Sequence, residues 1–112
     1  DGALAGALAH VILVEGLWNR EFVGEFKTGL NYFRAGRVID EGMFEERETF
    51  GLVKWWNLEL KDRTPDWAEK ETGIPAAQIV RVARAMGKAA PKTAVWMGPG
   101  VAMNPRGTYT SM

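Results

Sequence analysis

Residues 64 to 100, TPDWAEKETGIPAAQIVRVARAMGKAAPKTAVWMGPG, constrain the fold more than any other part of the chain, because helix, helix, strand and glycine loop follow one another with each junction marked. Thr64 is placed to cap a helix that has Pro65 at its first position, and Gly73 closes it. Pro75 opens a second helix, whose apolar stripe Ile79, Val82, Ala83 and Met86 recurs at helical spacing. Pro91 ends that segment before an expected strand, Thr93 to Met97. Gly98 and Gly100 then bare the backbone where the strand ends. This order of elements reads as an α/β fold with Rossmann-like helix and strand layers, mostly helical, with its strand near 93–97.

The amino-terminal part predicts a buried helix. Leu4, Leu8, Val11 and Ile12 share one face, and Ala7 and Val14 widen the apolar surface until little polar face is left, which suggests burial between layers. Gly16 ends this helix. Asn19 caps a short second one carrying Phe22, Val23 and Phe26, and Lys27-Thr28-Gly29 reads as a turn. The middle of the chain, residues 30–63, is long and aromatic, with Tyr32, Phe33, Phe44, Phe50, Trp55 and Trp56. Ala35-Gly36-Arg37 and Glu41-Gly42 punctuate a loop, and one helix is expected between Phe44 and Leu60.

A length of 112 residues with 46% hydrophobic content suits one domain. Fourteen basic residues balance fourteen acidic ones, so no broad field draws the chain to nucleic acid or to an anionic membrane. The apolar run from Ala3 to Val14 is shorter than the ~20 residues that a transmembrane helix needs, and no transmembrane segment is expected. The chain has no cysteine, which removes disulfides, thiolate metal sites and iron–sulfur ligation from these residues.

Chemistry is to be sought at the glycine loop, since ligands of open α/β sheets gather at the carboxyl ends of strands and glycine lets backbone approach them closely. On its own, Gly98-Pro99-Gly100 reads as a plain strand-ending turn: Met103 stands where a dinucleotide fingerprint has its third glycine, and Pro99 removes a donor from any phosphate nest. His10, the single imidazole, reads as a hydrogen-bonded packing residue, because an apolar helix surrounds it and neither a second His nor an acid stands at i±3 or i±4. Glu45-Glu46-Arg47-Glu48 and Glu69-Lys70-Glu71 alternate in sign and read as solvated helix faces. The aromatic middle reads first as local core, and otherwise as a substrate funnel or subunit contact. No hydroxyl nucleophile stands near a possible base.

The wording of residues 64–100 resembles the third domain of the molybdopterin oxidoreductases of the dimethyl sulfoxide reductase family. The resemblance extends to Asp1-Gly2-Ala3-Leu4, Ala9-His10-Val11-Ile12-Leu13 and Glu15-Gly16-Leu17-Trp18-Asn19-Arg20-Glu21-Phe22-Val23, in the family's order. It implies an internal piece of a larger catalytic subunit, with residues 1–112 forming a single partial domain and residues 30–63 an insertion. The parent would be a molybdenum or tungsten enzyme carrying a bis-molybdopterin guanine dinucleotide, with an iron–sulfur cluster elsewhere in the protein.

Carried onto this sequence, the resemblance places Met97, Gly98 and Gly100 in the loop that lies against one half of the cofactor. Met103 or Asn104 occupies the place where many members have a Gln, although the spacing here is longer. Asp1 matches a Thr-Asp pair near the guanine end, where a carboxylate accepts guanine N–H groups; read from the residues alone, it is equally an N-cap. No catalytic residue and no metal ligand is expected within these residues. Alone they are expected to bind neither metal nor pterin, and to self-associate through apolar surface that the parent covers.

The implied partners are the other domains of the same subunit and an electron-transfer subunit. Family members act on sulfur, nitrogen, arsenic and selenium oxyanions, sulfoxides and formate; selectivity resides near the metal, outside these residues. The competing reading is a self-contained α/β interaction module that docks a partner through its aromatic middle.

Overall fold

A computed structural model describes residues 1–96. Helix α1 spans Gly2–Val14, and the chain turns at Gly16, whose φ of 70° is one that glycine adopts without strain. Asn19 caps α2, Arg20–Val23, by accepting from the backbone N–H groups of Glu21 and Phe22. The chain then enters strand β1, Gly24–Phe26, which pairs antiparallel with β2, Phe44–Glu46, in the register Gly24 to Glu46 and Phe26 to Phe44. Helix α3, Leu52–Leu58, follows. Short 3₁₀ turns lie at Glu41–Met43 and Leu60–Asp62.

Helices α4, Pro65–Thr72, and α5, Ala76–Ala89, stand where the sequence places them. The Thr64 hydroxyl accepts from Trp67 N–H at 3.2 Å, Pro65 opens the helix, and Gly73 closes it with a φ of 76°. Glu69 on α4 accepts from the N–H of Ala76 at 2.8 Å, so one helix caps the start of the next.

Two apolar clusters hold these elements. In the first, Ala7 of α1, Ala68 of α4 and Ile79 of α5 are buried together, flanked by Leu4, Leu8, Trp67 and Ile74. Alanines at the contact let the three helices approach closely. The Glu15 carboxylate at the end of α1 accepts three hydrogen bonds from Arg84 of α5, from Nη2 at 2.7 Å and from Nε at 2.8 and 3.2 Å, and Gly87 leaves room for Leu17. The second cluster is aromatic: Trp18, Phe26, Phe33, Phe44 and Trp56 pack with Leu13, Ile39, Val53 and Leu60. Phe33 and Trp56 have ring centroids 4.9 Å apart, and Phe26 and Phe44 meet edge to face at 5.0 Å. Of the rings of the middle segment, Phe33, Phe44 and Trp56 are therefore core, with Tyr32 packed against them, while Phe50 and Trp55 are exposed.

Several expectations are corrected. Phe26 lies on β1, because α2 stops at Val23 and Gly24, with a φ of 105°, turns the chain into the strand. The segment from Phe44 to Leu60 is a strand, a bend and a short helix in place of one helix. Glu45 to Glu48 consequently lie on β2 and its bend, where Glu46 turns inward and accepts from Leu52 N–H at 2.7 Å. Val82 is exposed, so the buried stripe of α5 narrows to Ile79 and Ala83.

Thr93 to Trp96 are not in a strand, and Met97 lies outside the described residues. A strand's backbone groups need a neighbouring strand, and none flanks this stretch among the described residues. The described residues are mostly helical with one two-stranded sheet, which fits the α/β class. Rossmann-like layers need a parallel sheet, and the described residues contain none.

Candidate functional site

Of the five residues that the sequence points to for cofactor contact, Asp1 is described, whereas Met97, Gly98, Gly100 and Met103 lie outside the described residues. Asp1 occupies the N-cap position of α1 and is exposed, yet its carboxylate makes no cap hydrogen bond. Its backbone carbonyl starts the helix by accepting from Ala5 N–H at 2.9 Å. The carboxylate is thus uncommitted to its own helix and open to N–H donors.

The approach to the glycine loop leaves from the other end of the helical layer. Thr93 donates its hydroxyl hydrogen to the Met86 carbonyl at 3.1 Å, and Lys92 N–H bonds the Ala89 carbonyl at 2.8 Å. Helices α1 and α5 run side by side in the same direction, since Ala7 packs with Ile79, Glu15 with Arg84, and Leu17 with Gly87. Asp1 and Thr93 are therefore at opposite ends of α1, and 13 helical residues correspond to about 20 Å.

His10 is buried in α1, 3% exposed. Its Nδ1 lies 2.6 Å from the Leu60 carbonyl oxygen, which can only accept, so Nδ1 carries the hydrogen. The ring stacks on Trp56 with centroids 5.2 Å apart. Burial lowers its pKa from the ordinary 6.5, opposed by the Leu60 carbonyl and by the charge of Asp62. Because the folded pKa lies below the unfolded one, the unfolded chain binds more protons as pH falls below 6.5. Stability is expected to fall over that window and to level off below the folded pKa. Urea midpoints at about pH 8 and about pH 5 test this; His10→Gln should flatten the dependence, and an unchanged slope in that variant would assign it to another group.

Sequence reasoning missed the residues that rigidify the middle segment. Asn31 donates through Nδ2 to the carbonyls of Leu13 and Val14, capping the end of α1, and accepts from Phe33 N–H. Asn57 accepts from Ile39 N–H at 2.8 Å and donates to the Ile39 carbonyl at 2.7 Å, as a neighbouring strand would. Trp18 and Trp56 donate indole N–H groups to the carbonyls of Gly24 and Arg37. None of these contacts has a period or a motif. An Asn next to an aromatic residue, Asn31 before Tyr32 and Asn57 after Trp56, is the nearest thing to a signal.

Among the described residues no group of three metal-capable His, Asp or Glu side chains occurs, and no helix is long and apolar enough to cross a membrane. They place the exposed Asp1 carboxylate at one end of α1 and the segment that leads toward residue 97 at the other. A single exposed carboxylate can accept N–H donors of a polar ligand.

No protein-family model matches the chain. The molybdopterin-containing subunit of the arsenate respiratory reductase of Chrysiogenes arsenatis is 59% identical over all 112 residues, and that of Shewanella sp. (strain ANA-3) is 52% identical over the same length. The dimethyl sulfoxide reductase of Haemophilus influenzae is 30% identical over 91 residues, 81% of the chain. The chain belongs to the molybdopterin oxidoreductases of the dimethyl sulfoxide reductase family. It spans 13% of the length of each of the two arsenate reductase subunits and 11% of the dimethyl sulfoxide reductase. The matches to the two arsenate reductase subunits run through residues 30–63 as well as both ends.

Proposed function

We propose that the chain is part of the catalytic subunit of a molybdenum or tungsten bis-pterin oxidoreductase, and that it supplies one edge of the cofactor cradle. The observation that carries this is the match over all 112 residues to two molybdopterin-containing subunits. The cofactor, when bound, carries the two-electron oxygen-atom transfer, and an iron–sulfur cluster elsewhere in the parent passes the electrons. These residues bind and orient. The Asp1 carboxylate would accept N–H groups at the guanine end, and Met97, Gly98, Gly100 and Met103 would contact another part of the cofactor.

Arsenate is the substrate we propose for the parent, because both relatives matched over the whole chain are arsenate respiratory reductases. Its reduction consumes two electrons and two protons and yields arsenite and water. The test is the full-length parent, assayed for molybdenum, tungsten and pterin and for arsenate-dependent oxidation of a reduced dye. A preparation with neither metal nor pterin would sink the assignment to the cradle, and a loaded enzyme inert toward arsenate would sink the substrate.

Within the parent, Gly100→Val is expected to lose cofactor before it loses fold. A β-branched side chain both crowds a close backbone contact and disfavours positive φ. Gly42→Val is the control, since Gly42 lies in the exposed 3₁₀ turn with only the Asp40 side chain near its added Cβ, at 3.3 Å. Metal content and turnover should drop in the Gly100 variant and hold in the control at similar melting temperatures. Full metal occupancy and normal turnover in Gly100→Val would refute cofactor contact at this loop.

A further inference from the structure

Helix α1 serves both apolar clusters. Its Ala7 is buried against α4 and α5, whereas its Leu13 is buried in the aromatic cluster of the middle segment. The Asn31 amide, bonded to the Leu13 and Val14 carbonyls, ties that segment to the end of the helix, and His10 ties it one turn earlier. Both partners of His10 lead on into the loop before α3. Trp56, on which the ring stacks, donates to the Arg37 carbonyl at 2.8 Å, and next to Leu60 the Lys61 carbonyl accepts from Gly36 N–H at 2.8 Å.

A second proton on this ring is poorly placed. Nδ1 already carries a hydrogen, so the proton binds Nε2, which has no hydrogen-bond partner among the described residues, and the buried ring keeps the new charge from water. Helix α1 has no other charged side chain from Gly2 to Val14. The segments packed around the ring carry the cations Arg34, Arg37, Lys54, Lys61 and Arg63, with Glu59 held by Arg63 and Asp62 by Lys61. Asp62 favours the imidazolium, and so does the face of Trp56, but burial is the larger effect and keeps the pKa of His10 below 6.5.

We propose that His10 is a pH-sensitive clasp, whose protonation releases residues 31–39 and 56–62 from α1 while α1, α4 and α5 stay packed together. The charged ring reaches water once the middle segment lifts. Neither the packing of Ala7 with Ala68 and Ile79 nor the bonds of Glu15 to Arg84 have to break for this. Proteins commonly open in such units, one part of the fold ahead of the rest. The stability lost on acidification is thus lost first at one seam, between the helical layer and the aromatic segment.

The experiment is hydrogen exchange of the full-length subunit, read by mass spectrometry at about pH 7.5 and about pH 5.5 and corrected for the intrinsic exchange rate at each. Opening that takes up one proton gains about tenfold per pH unit below the unfolded pKa, so residues 31–39 and 56–62 should open up to about tenfold more at the lower pH. Residues 65–89 should keep their protection. Equal gains in both regions, or no gain in the middle segment, would overturn the proposal. His10→Gln should remove the gain, and a gain that persists would overturn the clasp by assigning it to another group. If that variant does not fold, Asp62→Asn decides: without the charge that favours the imidazolium, the rise in opening should continue to lower pH, and a rise that ends at the same pH as in the unaltered subunit would overturn the proposal.

Discussion

Trp56→Ala is expected to remove about 3 to 5 kcal/mol of stability, the range for truncating a large buried aromatic, and to leave the chain partly unfolded at room temperature. Trp56 is wholly buried at the centre of the aromatic cluster. It packs against Phe33 at 4.9 Å between centroids, stacks on His10 at 5.2 Å, and donates its indole N–H to the Arg37 carbonyl at 2.8 Å. Alanine leaves a cavity that touches α1, α3 and the segment 31–39 at once, and it strands the Arg37 carbonyl. Small domains have about 5 to 15 kcal/mol in total, so one such loss is a large part of the whole. Trp56→Phe keeps most of the ring and loses the donor, with an expected cost of about 1 to 2 kcal/mol. Urea denaturation of the two variants checks the order. Equal losses would show that the hydrogen bond, and not the filled volume, is what Trp56 contributes.

That cluster marks the boundary of what the chain shows on reading. The helices α4 and α5 were legible because their signals are local: Thr64 and Pro65 at a start, Gly73 at a stop, Pro75 at the next start. Helix α1 was legible because its apolar residues fill most of a helical surface. In the middle segment, strands of three residues carry too few positions for alternation to register, and the contacts that fix them are long-range. Asn57 meets Ile39 across 18 residues, and His10 meets Leu60 across 50. Such pairs exist only once the chain has folded. The aromatic composition pointed to a core there without showing how the backbone runs through it.

The candidate site rests on resemblance and not on chemistry. Gly98-Pro99-Gly100 on its own departs from the dinucleotide fingerprint, and a lone N-terminal carboxylate has a helix cap as its plainest role. The structure places Asp1 at the N-cap of α1, with its backbone carbonyl and not its side chain bonded to the helix. It also sets Asp1 apart from the approach to the loop by the length of α1, a relation that spacing along the chain could not show. Among the described residues no cluster of metal-capable titratable groups marks a site either. His10, the most conspicuous titratable group, is explained by packing.

Gly24→Ala is expected to be as damaging as the loss of the tryptophan, about 3 kcal/mol or more, although it adds a single methyl group. Gly24 joins α2 to β1 with a φ of 105°, a region that L side chains rarely adopt, and a Cβ built there would lie 1.9 Å from the Glu45 carbonyl oxygen. That oxygen is backbone of the paired strand and cannot rotate away. Relief requires the strands to part, which removes the pairing of Gly24 with Glu46 and Glu25 with Glu45 and pulls the Gly24 carbonyl from the Trp18 indole N–H at 2.8 Å. The two-stranded sheet has no third strand among the described residues to hold it, so the edge-to-face contact of Phe26 with Phe44 goes with it. Gly29→Ala separates the two causes. Gly29 has a φ of 77° with nothing within 4 Å of an added Cβ, so it carries the conformational cost alone, about 1 kcal/mol. Thermal unfolding followed by tryptophan fluorescence should show a drop for Gly24→Ala several times that for Gly29→Ala. Matching drops would mean that positive φ, and not the approach of the Glu45 carbonyl, is what demands glycine at position 24.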